Sequence, residues 1–327
     1  MSKVIAVAGG TGSVGRTIVD ELEKSSLYNT IVLARNASYG NFKASSKGLI
    51  ADLVFKAPEQ NENKSPILAV DYNNVAETAQ LLANHKVEVV ISTIHIMEEV
   101  ASTAQLNLIK AASQSGTVKR FIVSEWGIVH TEESPMYKFR EDAVTEIRKS
   151  GLEWTRVSNG YFMDYYGYPH VKTYLKPLSF VIDVKNKAAG IPGSGDDVVA
   201  FTYTADVAKF VVASLGLPKW EEITYCYGEK SSYNKILALA EQARGTKFNV
   251  TYDPVEKLNK GEVTELPSHP AIYAMAPKQV LQGIFALFGK WIINGDFDVP
   301  EDLSLNAKFP DIKTTKLSEI VGAWKGH

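Results

Sequence analysis

A glycine-rich turn between an apolar strand and a helix constrains this chain more than any other feature of its sequence. The apolar run Val4–Ala8 leads directly into Gly9-Gly10-Thr11-Gly12-Ser13-Val14-Gly15. A helical pattern from Arg16 to Lys24 and a second apolar run from Thr30 to Ala34 follow. Glycines let the backbone turn tightly, so that a pyrophosphate can reach the free amides at the start of the helix. The order strand, turn, helix, strand therefore predicts a dinucleotide bound at residues 9–15.

The end of the second apolar run indicates which dinucleotide is bound. An NAD site usually has Asp or Glu here to bind the ribose 2′-hydroxyl, whereas an arginine accommodates a 2′-phosphate. This run ends in Arg35-Asn36 without an acidic residue, and Lys43 and Lys47 follow in a polar loop. The sequence predicts NADPH as the cofactor. The alternative is that Arg35 is a solvated charge at a strand end.

Composition sets the class of protein. A chain of 327 residues with 45% hydrophobic and 22% charged residues is typical of a soluble globular protein. Its formal net charge of −2 gives no electrostatic reason to bind nucleic acid or an anionic membrane. The single cysteine, Cys226, permits no internal disulfide, and neither a signal peptide nor a membrane-spanning run is visible. We expect a cytoplasmic monomer or homodimer without a metal, since the histidines lack metal-ligand spacing.

Apolar runs alternate with helical patterns over the first half of the chain. This alternation predicts an α/β fold, a doubly wound parallel-sheet Rossmann domain with a smaller α+β substrate-binding lobe. We assign residues 1–158 and 201–230 to the Rossmann domain and residues 159–200 and 231–327 to the lobe, in which 186–197 is predicted to be a loop. Ligand positions are expected at the carboxyl ends of the strands. Those positions include Asp71, Ser92, Thr93 and Ile94.

Three later segments carry a resemblance to a known family. Residues 118–127 read V-K-R-F-I-V-S-E-W-G, residues 150–162 read S-G-L-E-W-T-R-V-S-N-G-Y-F, and residues 191–207 contain a glycine loop followed by T-A-D-V. Together with the glycine turn, they resemble the NmrA-like, isoflavone-reductase-like family of atypical short-chain dehydrogenases/reductases. That family includes plant isoflavone, pinoresinol-lariciresinol and phenylcoumaran benzylic ether reductases. The resemblance covers roughly residues 3–230 and implies hydride transfer from NADPH to an aromatic or conjugated small molecule.

The resemblance also implies site residues in the lobe. By analogy with the family, residues after the strand predicted at 151–158 lie beside the nicotinamide, and neighbouring tyrosines reach the substrate. The implied nicotinamide contacts are Asn159, Gly160 and Phe162, and the implied substrate contacts are Tyr161, Tyr165 and Tyr166. For the tyrosines, packing in an aromatic core is the alternative.

The sequence offers several candidates for the proton donor. The resemblance implies a lysine, on the helix after residues 118–127, that helps polarise or protonate the substrate oxygen. Counting back from Gly151 along the family's segments places this lysine at Arg140, and Lys138 lies two residues earlier. On one helix this step turns the side chain by roughly 200°, so that both can face one pocket only if the helix begins between them, as Pro135 would allow. Lys138 would then donate a proton and contact the cofactor. Arg140 would be an electrostatic clamp on a substrate oxygen, because arginine stays protonated.

Other residues are alternatives to Lys138. Ser124 occupies the place of the superfamily's catalytic serine, and Tyr137 is a possible acid, although the superfamily's Tyr-x-x-x-Lys pair is absent. A site without any such donor is a further alternative. His130, in the loop after the S-E-W-G segment, is either a substrate contact or a solvated loop residue.

These features predict an NADPH-dependent reductase that acts on an enone, imine or benzylic ether in an aromatic or polyketide-derived small molecule. Two other functions stay open on the same scaffold. One is an NADP(H)-binding redox sensor without turnover, as NmrA-like regulators are. The other is an isomerase or cyclase that performs no net redox change.

Overall fold

The computed structural model of the protein describes residues 2–35, 65–274 and 276–327. Its strands are short and most of them lie in the first half of the chain. They are β1 (Lys3–Ala8), β2 (Tyr28–Ala34), β3 (Ile67–Ala69), β4 (Val87–Ser92), β5 (Arg120–Gly127), β6 (Glu153–Ser158), β7 (Tyr161–Phe162), β8 (Ile182–Asp183), β9 (Ala188–Pro192), β10 (Val199–Thr202), β11 (Ile223–Tyr225), β12 (Glu229–Ser231) and β13 (Asn249–Asp253).

Helices follow most of the strands. They are α1 (Ser13–Leu22), α2 (Val75–Asn84), α3 (Glu99–Gln114), α4 (Tyr137–Lys149), α5 (Asp164–Gly167), α6 (Thr204–Ser214), α7 (Tyr233–Arg244), α8 (Val255–Asn259), α9 (Lys278–Asn294), α10 (Leu305–Lys308) and α11 (Leu317–Gly322), with a 3₁₀ turn at His269–Ile272. Among the residues described, no helix combines the length and the apolar character needed to cross a lipid bilayer.

The main sheet has seven strands in the order β11-β6-β5-β4-β1-β2-β3, and every neighbouring pair in it is parallel. The chain builds outward from β1 in one direction through β2 and β3. It then returns to the other side of β1 and continues through β4, β5 and β6. The strand order therefore reverses between β1 and β4, and the carboxyl ends of these two strands form the crevice in which open α/β sheets bind ligands.

Helices cover both faces of this sheet, which is why its central strands are apolar on both sides. On one face α1 packs against α6, with Ile18 and Phe210 completely buried. On the other face α3 lies between α2 and α4, with Leu108 and Ile147 completely buried. The predicted doubly wound parallel sheet is confirmed.

A third cluster of buried side chains forms the interior of the lobe. It is rich in aromatic residues and is bordered by two three-stranded sheets, β12-β10-β7 and β13-β9-β8. The prediction of a loop over 186–197 is wrong in its first half, because β9 lies there and pairs with both β8 and β13. Gly190 allows Thr264 to pack closely on this strand, since a Cβ there would lie 2.9 Å from the Cβ of Thr264.

Candidate functional site

The glycine turn lies at the carboxyl end of β1 and packs against the residue that follows β4. Gly9 has a φ of +76°, and its carbonyl accepts a hydrogen bond from the Gly12 amide at 2.8 Å. A Cβ on Gly15 would lie 2.4 Å from both the Gly9 carbonyl oxygen and Thr93 Oγ1. No side chain fits at that distance, so residue 15 must be glycine for the turn to close against Thr93.

The amino end of α1 is open to a ligand. Its N-cap is Gly12, which has no side chain to satisfy the first amides, and the first turn of α1 contains no acidic residue. The first amide bonded within the helix is that of Arg16, which donates to Gly12 O at 2.8 Å. The amides of residues 13–15 therefore point out of the helix without an intrahelical acceptor. This cradle fits the pyrophosphate of a dinucleotide.

Arg35 lies at the carboxyl end of β2, on the same edge of the sheet as the glycine turn, and its side chain is exposed. Its positive charge reaches Tyr72: burial raises the pKa of Tyr72, and Arg35 lowers it in part. Asp71, just beyond β3, accepts a hydrogen bond from the Asn73 amide at 2.9 Å and so shapes a turn. Asn36, the other residue predicted here, lies outside the residues that the structure describes.

The residues after β4 are tied to both neighbouring strands. Thr93 Oγ1 donates a hydrogen bond to Ala8 O at 2.8 Å, which joins them to β1. Ser124 Oγ donates to Ile94 O, also at 2.8 Å, which joins them to β5. The Ser124 side chain is thus buried and already hydrogen-bonded. As placed, it is a fixed part of the wall rather than an open hydroxyl.

The carboxyl end of β5 is irregular. Val123 pairs with Arg156 and Gly127 with Ser158, so that β5 advances four residues while β6 advances two. Within this bulge Trp126 has a φ of +54°, which is rare for a bulky side chain. Its indole Nε1–H donates to Ser92 O at 3.0 Å. Such strained backbone is typical of functional sites.

The bulge places Glu125 inside a buried group of charges. Its carboxylate is 3.4 Å from Arg156 Nη1 and 3.8 Å from Arg140 Nε. Arg140 also donates from Nη1 to the Ser124 carbonyl, and Arg156 donates to Glu141 at 3.3 Å near the surface. Desolvation raises the pKa of Glu125, and the two guanidinium groups lower it. The group thus brings two arginines to the carboxyl edge beside β5.

Two histidines border this charged group. His130 is nearly buried; desolvation, followed by the charges of Arg140 and Arg156, lowers its pKa to about 3. His95, in the loop after β4, is accessible to solvent yet has protein on most sides, as expected for the wall of a cleft. Desolvation and the charge of Arg140 lower its pKa as well. Both rings are therefore neutral at pH 7, and the positive charge of Arg140 extends to an accessible position.

Lys138 and Arg140, the two candidate cations on α4, lie in different environments. Helix α4 begins at Tyr137, so Lys138 and Arg140 both lie in its first turn. The Lys138 side chain is 79% exposed and pairs with Asp142 at 2.5 Å, whereas that of Arg140 is 9% exposed. Tyr137 is half-buried. The structure brings Arg140 to the site and directs Lys138 away from it, so that the predicted roles of Lys138 in proton donation and cofactor binding lack geometric support.

The segment after β6 closes the site toward the lobe. Asn159 is completely buried, and its carbonyl accepts a hydrogen bond from Thr202 Oγ1 at 2.6 Å. Its Oδ1 has no hydrogen-bond partner among the residues that the structure describes. Gly160 has a φ of +68°, and a Cβ there would lie 2.1 Å from Ala200 O. Phe162 is partly buried against the cluster that contains α1 and α6. An unpartnered Asn159 oxygen at this edge is compatible with a polar ligand group.

The three tyrosines predicted to contact substrate are mainly core residues. Tyr161 and Tyr166 are 5% and 1% exposed, and their ring centroids are 5.9 Å apart. Tyr166 also donates to the Tyr233 hydroxyl at 3.4 Å. Tyr165 is partly buried and packs against the same cluster. As placed, Tyr161 and Tyr166 pack inside the lobe, which favours the alternative of an aromatic core over contact with substrate.

Sequence reasoning missed three site residues, Glu125, Arg156 and His95. Glu125 and Arg156 were visible inside the two segments that carry the family resemblance. A charged residue in the middle of a sheet strand such as β6 is itself a signal, because a buried charge needs a partner. His95 gave no signal beyond its position three residues after a buried strand.

Known proteins resemble this chain in sequence and in fold. The profile of the NmrA-like family matches residues 1–320. The oxidoreductase BOA1 of Botryotinia fuckeliana is 32% identical over 316 residues, which cover 94% of this chain and 95% of that protein. The phenylcoumaran benzylic ether reductase Betv6 of Betula pendula is 27% identical over 338 residues, which cover 97% of each. In fold, the leucoanthocyanidin reductase–NADPH complex of Vitis vinifera superposes with a TM-score of 0.71 at 19% identity, covering 98% of this chain and 99% of that chain.

Proposed function

The chain is an oxidoreductase of the NmrA-like family, and on that premise we propose that it uses NADPH to reduce an aromatic or polyketide-derived small molecule. NADPH, when bound, supplies a hydride. The amides of residues 13–15 would hold its pyrophosphate, and Arg35 its 2′-phosphate. Ser92, Thr93 and Ile94 with Asn159, Gly160 and Phe162 would border the nicotinamide end.

The observation that carries the proposal is the placement of Arg140 on the edge that bears the glycine turn. Its side chain is 9% exposed, and its charge reaches the accessible His95. A fixed positive charge in a partly desolvated site stabilises negative charge that develops on a substrate oxygen. This favours an enone or a benzylic ether, which gain charge on oxygen during reduction. An imine reacts as its cation, which Arg140 would repel.

Arg140 is not a proton donor, because a guanidinium keeps its proton at physiological pH. The neutral His95 can offer one N–H to a substrate oxygen at the cleft. The proton that completes the reduction would then come from solvent through the cleft. We propose this division, with Arg140 stabilising charge and water supplying the proton, in place of a lysine donor.

Calorimetric titration tests the cofactor part. NADPH should bind more tightly than NADH, and Arg35→Ala should weaken NADPH binding by about ten- to a hundredfold while leaving NADH binding unchanged, since a hydrogen bond to a charged group contributes ~1.5–3 kcal/mol. Lys24→Ala is the matched control, because Lys24 is a surface cation paired with Glu21 at the far end of α1. Equal affinity for the two dinucleotides would refute the proposed role of Arg35.

The substrate part is tested by following NADPH oxidation with matched aromatic enones, benzylic ethers and imines. Turnover of the first two classes and rejection of the imines would support the role of Arg140. Turnover of imines alone would contradict the proposal that Arg140 stabilises negative charge on a substrate oxygen. Tight NADPH binding without turnover of any class would instead support the redox-sensor alternative.

A further inference from the structure

Ser134 is the hydrogen-bond partner of His130 Nδ1. The Ser134 hydroxyl lies 2.6 Å from this nitrogen, and its oxygen accepts the Met136 amide at 3.1 Å. The hydroxyl can donate to a bare Nδ1 or accept from a protonated one, so the contact alone fits both neutral tautomers. When Ser134 donates, the neutral imidazole carries its proton at Nε2.

The Nε2 atom of His130 faces the buried charges. Nε2 is 4.0 Å from Glu125 Oε1, and Arg140 Nε is 3.8 Å from the same oxygen. Both distances exceed a hydrogen bond. Within the described parts of the chain, neither Glu125 Oε1 nor Arg140 Nε has a hydrogen-bond partner. His130 Nε2 and Arg140 Nε thus both lie just beyond hydrogen-bond distance of the same carboxylate oxygen.

We propose that Ser134 donates to His130 Nδ1, that one buried water molecule joins the resulting His130 Nε2–H to Glu125 Oε1 and Arg140 Nε, and that Ser134 and His130 thereby act as positioning residues for the Arg140 guanidinium. The water accepts from the two N–H groups and donates to the carboxylate. Three hydrogen bonds are the usual number for a buried water. The role given to Arg140 rests on the proposed function, whereas the water and the tautomer do not.

The loop that carries His130 is itself held by the lobe. Trp291 of α9 packs edge-on against the His130 ring at a centroid distance of 5.4 Å. Its Nε1–H donates to Thr131 Oγ1 at 2.9 Å. The chain of contacts therefore runs from the lobe through His130 and Glu125 to Arg140. The lowered pKa of His130 agrees with a ring that acts as a neutral donor.

Nitrogen-15 NMR of the full-length protein tests the tautomer without any assay of activity. The His130 ring should show the pattern of a neutral Nε2–H imidazole. Ser134→Ala should shift it toward a mixture of tautomers, and Ser134→Thr should restore it. Glu132→Gln is the matched control, because it changes an exposed residue of the same loop and leaves the Thr131–Trp291 hydrogen bond in place. A protonated Nδ1 in the wild type, or a pattern that Ser134→Ala leaves unchanged, would overturn the proposal.

A crystal structure at atomic resolution tests the water. Density for one water molecule within hydrogen-bond distance of the three atoms is expected, and a direct Glu125–Arg140 contact with no intervening density would refute the water.

Steady-state kinetics test the positioning role. Ser134→Ala should lower kcat several-fold with little change in KM, and Ser134→Thr should recover kcat. If the wild type is active and Ser134→Ala has the same kcat, the positioning role is rejected. If the wild type shows no turnover, the proposed function fails, while the NMR and density results still decide the water and the tautomer.

Discussion

Lys138 and Arg140 lie two residues apart in the first turn of α4, and their side chains point in opposite directions. Arg140 donates to the Ser124 carbonyl and approaches Glu125, whereas Lys138 extends into solvent beside Asp142. The two positions differ by roughly 200° around the helix axis. The residue that meets the site is therefore the one that cannot release a proton.

Lys138→Ala is expected to leave turnover within about twofold of the wild type. The exposed Lys138–Asp142 pair contributes ~0.3–0.5 kcal/mol to the free energy of unfolding, so that stability should change little. Arg140→Lys, which keeps the charge but loses the fixed fork of donors, should lower kcat strongly. Steady-state kinetics and urea unfolding check both variants. Loss of turnover in a well-folded Lys138→Ala protein would reinstate the lysine as the donor.

Gly15→Ala should abolish tight NADPH binding. Its Cβ would lie 2.4 Å from Gly9 O and Thr93 Oγ1, so the turn must open, at a cost of ~1–3 kcal/mol in stability. Gly283→Ala is the control, since a Cβ there, in the middle of α9, meets no atom within 4 Å. That change should raise the unfolding free energy by ~0.5–1 kcal/mol. Calorimetric NADPH titration of both variants would contradict the prediction if Gly15→Ala bound normally.

The free energy of unfolding should fall on acidification in a way that depends on His130. Its pKa is about 3 in the folded protein and ~6.5 when unfolded, so the unfolded chain binds the proton first as the pH falls. The stabilisation from its neutral ring is present above pH ~6.5 and is lost as the pH falls toward 3. The free energy of unfolding, measured by urea unfolding at several pH values in this range, should change less steeply with pH in His130→Gln than in the wild type. The difference should be up to ~1.4 kcal/mol per pH unit. Thr131→Val, which removes no titratable group, should keep the wild-type slope; identical slopes in all three proteins would argue against a perturbed His130.

Tyr161 is expected to affect stability rather than substrate binding. Its ring is buried among others in the lobe, at 5.7 Å from Phe180 and 6.3 Å from Phe201 between centroids. Tyr161→Ala should lower the unfolding free energy by ~3–5 kcal/mol. Tyr161→Phe keeps the ring and should leave KM for substrate unchanged. A selective rise of KM in Tyr161→Phe would return this residue to the substrate site.

Local pattern was enough to predict the Rossmann sheet and its glycine turn. The apolar runs of β1, β2 and β4 are nearly continuous because both faces of the sheet are covered, and the glycine spacing has a steric cause at Gly15. The apolar run from Thr30 to Ala34 lies within the observed β2, Tyr28–Ala34, and ends at the same residue. In these segments each residue's neighbours in sequence determine its environment.

The charged group and β9 needed information that lies far along the chain. Glu125 and Arg156 are 31 positions apart and meet only because β5 and β6 are neighbours with a bulge between them. The pairing of β9 depends on β13, whose register joins Ala188 to Asn249. The direction of Lys138 depended on where α4 begins, because Lys138 and Arg140 point apart only when both lie within the helix.

The left-handed backbone at Trp126 has a consequence for how the protein can diverge. Since its indole is bonded to the Ser92 carbonyl, the tips of β4 and β5 behave as one rigid body whose shape is set before any ligand arrives. Little conformational entropy is then left to lose there on association. Changes in substrate preference between relatives would thus come more readily from the lobe than from the carboxyl ends of β4 and β5.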